Sequence, residues 1–366
     1  MTKYVLTGCR TSAWRNARGK GIEVYEILAN NHWQYLHTVM PEFDNPSWLT
    51  FDHKRQQLYV IYGDGENVTQ YRFNRKDGKL TCLQSVSTGP RHPNKELQLE
   101  RKNNSVCAEL SPDQQSLLIA NHEAGNIAKL DFDSNDKLQI PQYFIKILGK
   151  SSPDYHDKSL SRPHQMVFDC TQNYMFVPNQ GRKAGNGIDM IQVYRIDGQE
   201  YSLVCSVEMI EGCWPRHICV HPSNRFIYCV NELGCTVTVF AFNQQTGHLT
   251  QLQELRTLPD EITQKYDVSE INLHHNGKYL YVSNRVHNSI SLFYVLANGQ
   301  LKFEQYFDCQ GKTPRFTTLS PDNLYFYSAN EDSDNIVEFR INEDNGYLEP
   351  TGIILQNASP TCILFI

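Results

Sequence analysis

The chain of 366 residues is longer than a single hydrophobic core usually becomes, so one domain of this size requires a repeat architecture. Its 40% hydrophobic and 20% charged residues exclude an intrinsically disordered chain, and a formal net charge of -6 without long basic runs argues against a nucleic-acid partner. The absence of an 18-residue apolar run and of a signal-like N-terminus, with eleven scattered cysteines and no C-x-x-C pair, predicts a soluble cytoplasmic protein that contacts no membrane.

A four-strand unit recurs along the chain. Each copy has a short apolar strand, a turn rich in Pro, Asp, Asn and Gly, a second strand ending in a polar pair, an alternating third strand and a more polar fourth strand. The six uninterrupted copies are recognised by their second strands, at 57–62, 116–121, 174–179, 226–231, 279–284 and 325–330. A repeat of roughly 45 to 60 residues is typical of β-propeller blades, which bury their sheet faces against neighbouring blades.

A seventh unit is divided between the two ends of the chain. Residues 359–366 have the pattern of a first strand, and residues 3–8 and 21–25 have those of a second and a third strand. Pairing of the termini in one sheet closes the ring and removes an open edge. The sequence therefore predicts an all-β fold, a seven-bladed β-propeller of four-stranded antiparallel blades that forms a single domain over residues 1–366.

Polar residues recur at corresponding strand ends of the six uninterrupted blades. In an antiparallel hairpin the start of the first strand and the end of the second lie at the same end of the sheet, and here the two positions are separated by 16 residues. The paired positions are Ser47 with Gly63, Val106 with His122, His164 with Gln180, Arg216 with Glu232, Ser269 with Arg285, and Arg315 with Glu331. Because the first two strands of a blade usually lie nearest the propeller axis, we expect these side chains to surround one mouth of the central channel.

Four of these side chains suit a small anionic ligand. Arg216 or Arg285 can bind a carboxylate or phosphate in bidentate fashion, and clustered guanidinium groups attract an anion despite the overall negative charge. Glu232, beside such arginines, is expected to stay ionised and to orient or activate a water molecule. His164 suits proton transfer, because a histidine side chain ordinarily titrates near neutral pH.

The remaining candidates are assigned by position alone. The substrate-binding candidates that share the register are Arg315, Glu331 and His122. Loop 89–105 is long enough to cover the mouth as a lid, and it could equally well be a solvated linker.

The histidines expected on the surface, in hairpin turns at the opposite strand ends, are His221, His274 and His275. No metal-ligand spacing, P-loop or nucleophile elbow is present, so we expect neither a metal nor a cofactor.

Several segments resemble the lactonase family of seven-bladed β-propellers, and the resemblance spans nearly the whole chain. The most specific segments are PRHI at 215–218, VNEL at 230–233, YVSNR at 281–285 and GKTPRF at 311–316. The family includes bacterial 6-phosphogluconolactonases and the fungal carboxy-cis,cis-muconate cyclase. Segments 46–53 and 164–169 look closer to the cyclase branch, whereas the last three blades look closer to the phosphogluconolactonases.

The resemblance implies an active site of one His, two Arg and one Glu. The matching positions are His164, Arg216, Glu232 and Arg285, which the hairpin register also selects. Two departures from the family pattern bear on the substrate. Segment 104–109 stands in place of a His-rich segment, and a Gly-rich loop follows residues 179–181.

These observations predict a metal-independent lactonase that hydrolyses a small anionic sugar lactone, with a phosphorylated sugar lactone preferred. Arg216 and Arg285 bind the anion and stabilise the oxyanion, while Glu232 and His164 position and activate the attacking water. One alternative is a muconate-lactonising cyclase, in which His164 or Glu232 delivers a proton to carbon. The other is a non-catalytic propeller scaffold, for which side chains would block the mouth or Arg216 and Glu232 would pair only with each other, leaving no room for a ligand. The sequence does not specify the oligomeric state.

Overall fold

The computed structural model describes residues 3–29, 32–89, 103–148, 160–181, 187–262 and 267–366. The strands in these ranges form seven antiparallel sheets, which we call blades 1 to 7. Six have four strands, and blade 4 has its first strand divided into two short pieces. The prediction of an all-β chain with seven four-stranded blades is therefore confirmed. Among the residues described, no helix has the length and apolar character needed to cross a membrane.

Tertiary contacts group the chain into two compact units, of which the first comprises residues 1–146 and 356–366. It contains blades 1 to 3 and a short 3-10 helix at Ala13–Arg15. Blade 1 consists of β1 (Tyr4–Cys9), β2 (Ile22–Ile27), β3 (Trp33–Val39) and β29 (Pro360–Phe365). Blade 2 consists of β4 (Pro46–Asp52), β5 (Gln57–Tyr62), β6 (Asn67–Phe73) and β7 (Leu80–Ser87). Blade 3 consists of β8 (Ser105–Leu110), β9 (Ser116–Asn121), β10 (Asn126–Asp131) and β11 (Tyr143–Lys146).

The second unit comprises residues 147–355 and contains blades 4 to 7, with a 3-10 helix at Glu331–Ser333. Blade 4 consists of β12 (Arg162–Pro163), β13 (Val167–Phe168), β14 (Tyr174–Gln180), β15 (Met190–Asp197) and β16 (Glu200–Glu208). Blade 5 consists of β17 (Pro215–Val220), β18 (Phe226–Asn231), β19 (Thr236–Phe242) and β20 (Leu249–Arg256). Blade 6 consists of β21 (Val268–Leu273), β22 (Tyr279–Asn284), β23 (Ser289–Val295) and β24 (Leu301–Asp308). Blade 7 consists of β25 (Pro314–Leu319), β26 (Tyr325–Asn330), β27 (Asn335–Ile341) and β28 (Leu348–Gln356).

The termini pair within blade 1 as the sequence predicts. Strand β1 lies between β2 and β29, with Val5 opposite Phe365 and Gly8 opposite Cys362. The division into two units does not test the prediction of a single domain over residues 1–366, which stays a prediction.

The hydrophobic core lies between the faces of neighbouring blades within each unit. Strand β5 is buried at all six positions, because side chains on both of its faces meet an adjacent sheet. In the second unit, Val230 and Val237 of blade 5 pack with Leu280 and Val282 of blade 6. Burying one such side chain stabilises a fold by about 1.5–3 kcal/mol. The outermost strands face solvent on one side, which accounts for their more polar sequences.

A β-bulge follows the entry into the first strand of most blades and contains some of the candidate site residues. In blade 5, Pro215 pairs with Asn231 and His217 with Val230, so Arg216 is the unpaired extra residue. The same shift leaves Ser47, Val106, Arg315 and Thr361 unpaired in blades 2, 3, 7 and 1. Bulges redirect side chains and are frequent beside functional sites. The first-strand positions that the hairpin register selects in blades 2, 3, 5, 6 and 7 are therefore bulge positions.

One expectation about the hairpin turns is wrong. His275 is exposed as expected and His221 is half-buried, but His274 is only 2% exposed. Its Nε2 hydrogen-bonds the backbone carbonyl of Asn323 at 3.1 Å, in the hairpin turn of blade 7. Contact between turns of neighbouring blades therefore buries a residue that its own blade alone would leave in solvent.

The first strand of blade 3 contains a carboxyl group that burial affects strongly. Burial raises the pKa of Glu109 to about 8, and no other cause contributes. A folded-state pKa above the unfolded value means that the folded chain binds more protons between these two values. The contribution of Glu109 to stability is therefore fully present below the unfolded pKa and is lost as pH rises toward 8.

We expect Glu109→Gln to remove this loss of stability at rising pH. The stability of the variant relative to wild type should increase between pH 5 and pH 8, by up to about 1.4 kcal/mol per pH unit. Urea denaturation at several pH values measures the difference. Glu200→Gln, at an exposed position of β16, is the matched control and should give a constant difference. Parallel curves for wild type and Glu109→Gln would contradict the assignment.

Candidate active site

The second unit contains six of the seven candidate site residues. They lie in blades 4 to 7, at the first strands (His164, Arg216, Arg315) and directly after the second strands (Glu232, Arg285, Glu331). His122 belongs to the first unit, where it is buried with its Nδ1 3.5 Å from Glu123 Oε1. The predicted substrate-binding role of His122 stays a prediction. Residues 90–102 of the proposed lid lie outside the described residues.

The backbone before Arg216 is fixed by a buried carboxylate. Asp189 accepts hydrogen bonds from the backbone N–H groups of Gly181 at 2.9 Å, Gly212 at 2.6 Å and Trp214 at 3.2 Å. Trp214 has a φ of 58°, in the left-handed region that non-glycine residues rarely adopt. These hydrogen bonds hold the strained turn into β17, and Arg216 follows two residues later.

Glu232 accepts hydrogen bonds from two side chains and forms an ion pair with a third. Its Oε1 accepts a hydrogen bond from Arg285 Nη2 at 2.5 Å, and its Oε2 accepts one from Gln180 Nε2 at 2.8 Å. Arg216 Nε lies 3.7 Å from Oε2. We call Arg216, Glu232 and Arg285 the Arg–Glu cluster. Its members are only 5%, 8% and 9% exposed, respectively, so their charges interact with little screening by water.

Charge pairing keeps the Arg–Glu cluster ionised at neutral pH. Burial by itself raises the pKa of Glu232, but Arg285 and Arg216 lower it by more, so this pKa lies well below its ordinary value. Burial opposes the charge of Arg285, yet Glu232 and Asp267 outweigh it and raise the pKa of Arg285. For Arg216 burial prevails and lowers the pKa to about 10. Glu232 is therefore an ionised carboxylate and a weak base.

Both arginines keep N–H donors that the described residues do not use. Arg216 Nη1 donates to the carbonyl of Ser269, and Arg285 Nη2 donates to Glu232 and to the carbonyl of Val268 at 3.2 Å. Arg216 Nη2 and Arg285 Nη1 donate to none of the residues described. A planar guanidinium group with available donors binds a carboxylate or a phosphate with directed hydrogen bonds.

A second pair of titratable side chains adjoins Arg216. His217 Nδ1 hydrogen-bonds Glu270 Oε1 at 2.6 Å, and both side chains are buried. Arg216 Nη1 lies 3.2 Å from His217 Nε2, and the ring of His164 lies 5.0 Å from that of His217, centroid to centroid. The sequence reasoning missed this Glu270–His217 pair. Each member directly follows a selected position, Arg216 or Ser269, and that adjacency was the available signal.

The remaining candidate pair lies at a more exposed position of the second unit. Arg315 Nη1 is 3.4 Å from Glu331 Oε2, and the two side chains are 22% and 15% exposed. Their charges act on the Arg–Glu cluster, because Arg315 lowers the pKa of Arg216 and Glu331 raises that of Arg285. In the described part of the chain, no group of three or more His, Cys, Asp or Glu side chains is arranged to hold a metal ion.

Comparison with known proteins gives a consistent family match. A family model described as "Lactonase, 7-bladed beta-propeller" matches residues 4–365. The chain is 25% identical over 371 residues to the 6-phosphogluconolactonase of Bacillus subtilis (strain 168), and the match covers 100% of this chain and 99% of that protein.

Two solved structures have the same fold. The periplasmic gluconolactonase of Pseudomonas aeruginosa superposes with a TM-score of 0.83 at 24% identity, covering 100% of this chain and 99% of that one. A protein from Lactobacillus plantarum gives a TM-score of 0.83 at 20% identity, with both chains covered completely. At these identities the likeness establishes the fold alone.

We expect Glu232→Gln to destabilise the protein by about 3–5 kcal/mol, because it leaves two buried guanidinium groups without their counter-charge. The matched control is Glu331→Gln, at a partly exposed pair, which should cost less than about 1 kcal/mol. Urea denaturation of the two variants and wild type measures both losses. Equal, small losses would show that Glu232 does not compensate the two arginines.

Proposed function

We propose that this chain, which belongs to the lactonase family of seven-bladed β-propellers, hydrolyses a small anionic sugar lactone, with a phosphorylated sugar lactone as its preferred substrate. The observation that carries the proposal is the pair of buried guanidinium groups with N–H donors to spare, held by one carboxylate. The full-length similarity to a protein named 6-phosphogluconolactonase supports the choice of substrate.

The proposed reaction places the developing negative charge beside Arg216 and Arg285. Water attacks the lactone carbonyl carbon, and the carbonyl oxygen becomes an oxyanion that the two guanidinium groups stabilise. Collapse of this intermediate breaks the bond between the carbonyl carbon and the ring oxygen. The products are a carboxylic acid and a hydroxyl group on one open chain.

His164 is the proposed proton carrier for this reaction. It accepts a proton from the attacking water and returns it to the departing ring oxygen. The low pKa of Glu232 makes this carboxylate a poor proton acceptor, so we assign it the role of holding Arg285 and Arg216 in position. Arg315, Glu331 and His122 remain proposed substrate-binding residues.

The two alternatives receive less support from the site. A cyclase would need a proton donor to carbon, and the ionised state of Glu232 leaves only His164 for that task. One of the two arrangements expected of a scaffold was that Arg216 and Glu232 pair only with each other, whereas Glu232 hydrogen-bonds Arg285 and Gln180. We therefore propose hydrolysis as the reaction, and we keep the cytoplasm as the proposed location because none of the eleven cysteines, which all lie in the described residues, forms a disulfide bond.

We expect wild type to hydrolyse 6-phosphogluconolactone with a higher kcat/KM than unphosphorylated gluconolactone. Arg216→Gln should lower kcat/KM by about 10²–10³, because it removes a donor to the oxyanion. Glu232→Gln should lower it by about tenfold or more, because the guanidinium groups lose their fixed positions. Acid release, followed with a pH indicator and corrected for uncatalysed hydrolysis, measures these rates.

Arg225→Gln is the control for this assay, since Arg225 is exposed in the hairpin turn before β18, and it should leave the rates unchanged. Equal rates for wild type and Glu232→Gln would remove Glu232 from the mechanism. Absence of turnover across a panel of sugar lactones, together with loss of the diene absorbance of a carboxymuconate, would favour the cyclase.

A further inference from the structure

The Glu270–His217 pair takes no part in the proposed reaction, yet it adjoins two residues that do. Glu270 Oε1 accepts hydrogen bonds from His217 Nδ1 at 2.6 Å and from the backbone N–H of Ile271 at 3.2 Å. Its Oε2 is buried and accepts none from the residues described. A buried acceptor without a donor lowers stability, so a pair that only stabilised the fold is expected to satisfy both oxygens.

The bulge of blade 6 holds two consecutive residues of blade 5. Val268 pairs with Asn284 and Ile271 with Val282, which leaves Ser269 and Glu270 in the bulge. The carbonyl of Ser269 accepts a hydrogen bond from Arg216, and the carboxylate of Glu270 accepts one from His217. The backbone N–H of Glu270 donates to Ser283 Oγ at 3.0 Å, which fixes the bulge itself.

We infer that Glu270 and His217 form a positioning pair that fixes Arg216 and His164 and favours protonation of His164 through the negative charge of Glu270. This inference rests on the proposed function for its catalytic consequence. Neither Glu270 nor His217 is a position selected by the hairpin register or a member of the Arg–Glu cluster.

The hydrogen bond to Glu270 selects one form of the His217 ring. A neutral imidazole that donates from Nδ1 has its lone pair on Nε2, as in other carboxylate–histidine pairs. Arg216 Nη1 lies at nearly equal distances from the two ring nitrogens, 3.3 Å from Nδ1 and 3.2 Å from Nε2. Such a position places the guanidinium nitrogen over the ring rather than in line with one lone pair. The ring therefore limits the movement of Arg216.

Several charged groups face the Glu270–His217 pair, and their balance determines whether the pKa values of His217 and His164 rise or fall. The pKa of His217 is lowered chiefly by burial and by Arg216, while Glu270 and Glu232 oppose the shift. Arg285 and Arg315 add positive charge around Arg216. His164 is the titratable ring in contact with His217. Loss of the Glu270 charge leaves both rings nearer to uncompensated cations, so their protonation becomes harder.

The test compares the pH dependence of kcat/KM in wild type and Glu270→Gln. If His164 must be neutral to accept a proton, the acidic limb of the profile reports its titration. We expect Glu270→Gln to move this limb to lower pH by about 0.5–1 unit. Glu270→Asp keeps the charge and should leave the limb within about 0.3 unit of wild type, although kcat falls.

Glu338→Gln is the matched control. Glu338 is a buried carboxylate of blade 7 that accepts a hydrogen bond from Tyr327 Oη at 2.9 Å, and it lies outside the candidate site. This substitution should reduce stability without moving the acidic limb. If Glu270→Gln likewise reduces stability and leaves the limb unmoved, the pair is structural and the inference is overturned.

A titration by NMR separates this inference from the proposed function. The C–H signal of His164 is assigned by its loss in His164→Gln, and its pKa is measured in wild type and in the folded Glu270 variants. A lower pKa in Glu270→Gln, with Glu270→Asp unchanged, supports the pair even if no lactone is hydrolysed. An unchanged pKa in a protein that hydrolyses lactones overturns the pair and leaves the proposed function standing. If Glu270→Gln does not fold, the pKa of His164 is compared between wild type and His217→Gln, which keeps the Glu270 carboxylate and removes the ring that links it to His164. A changed pKa supports the pair, and an unchanged pKa overturns it.

Discussion

Two buried guanidinium groups share one carboxylate, and the candidate site depends on this arrangement. Without Glu232, Arg216 and Arg285 would be like charges in a poorly solvated environment, where repulsion is strong. With Glu232 between them, all three groups are ionised and their N–H donors point in fixed directions. A buried ion pair seldom stabilises a fold more than apolar side chains of similar volume. Stability alone therefore gives no reason to place three charges beside the hydrophobic faces of blades 5 and 6.

The bulge that presents these side chains is a property of the fold, whereas the chemistry belongs to individual residues. Ser47 and Val106 occupy the same bulge position in blades 2 and 3 that Arg216 occupies in blade 5. Neither side chain carries a charge, yet the backbone makes the same register shift. The repeat thus supplies equivalent positions, and substitution at some of them creates a site without altering the sheets. This separation is one reason that a fold by itself does not define a function.

The sequence predicts most of the fold because strand burial is periodic and local. Second strands such as β5 are apolar at every position, and the spacing of 16 residues identifies which strand ends share an edge. Hairpin pairing places Arg216 and Glu232 at one end of blade 5, and the repeated spacing places Arg285 at the corresponding end of blade 6, where it hydrogen-bonds Glu232. Contacts between neighbouring blades are less predictable. His274 is buried by a turn of the next blade, and the hydrogen bond from His217 to Glu270 joins two blades.

The charges near the Arg–Glu cluster bear on how the site attracts an anion. Clustered guanidinium groups were expected to attract an anion at long range, but Arg216, Arg285 and Arg315 are accompanied by three carboxylates. These are Glu232, Glu270 and Glu331. Because the six charges cancel and the whole chain carries -6, the long-range field offers an anion little attraction.

Affinity must then come from contacts at hydrogen-bond distance, where the unused donors of Arg216 and Arg285 are directed and only slightly screened. Such a site distinguishes ligands by the geometry of their oxygens more than by their total charge. A planar carboxylate, a tetrahedral phosphate and a forming oxyanion present different oxygen spacings to the same two guanidinium groups. A site of balanced charge can therefore bind the transition state more tightly than the ground state, because only the oxyanion brings its charge to the position that the donors already face.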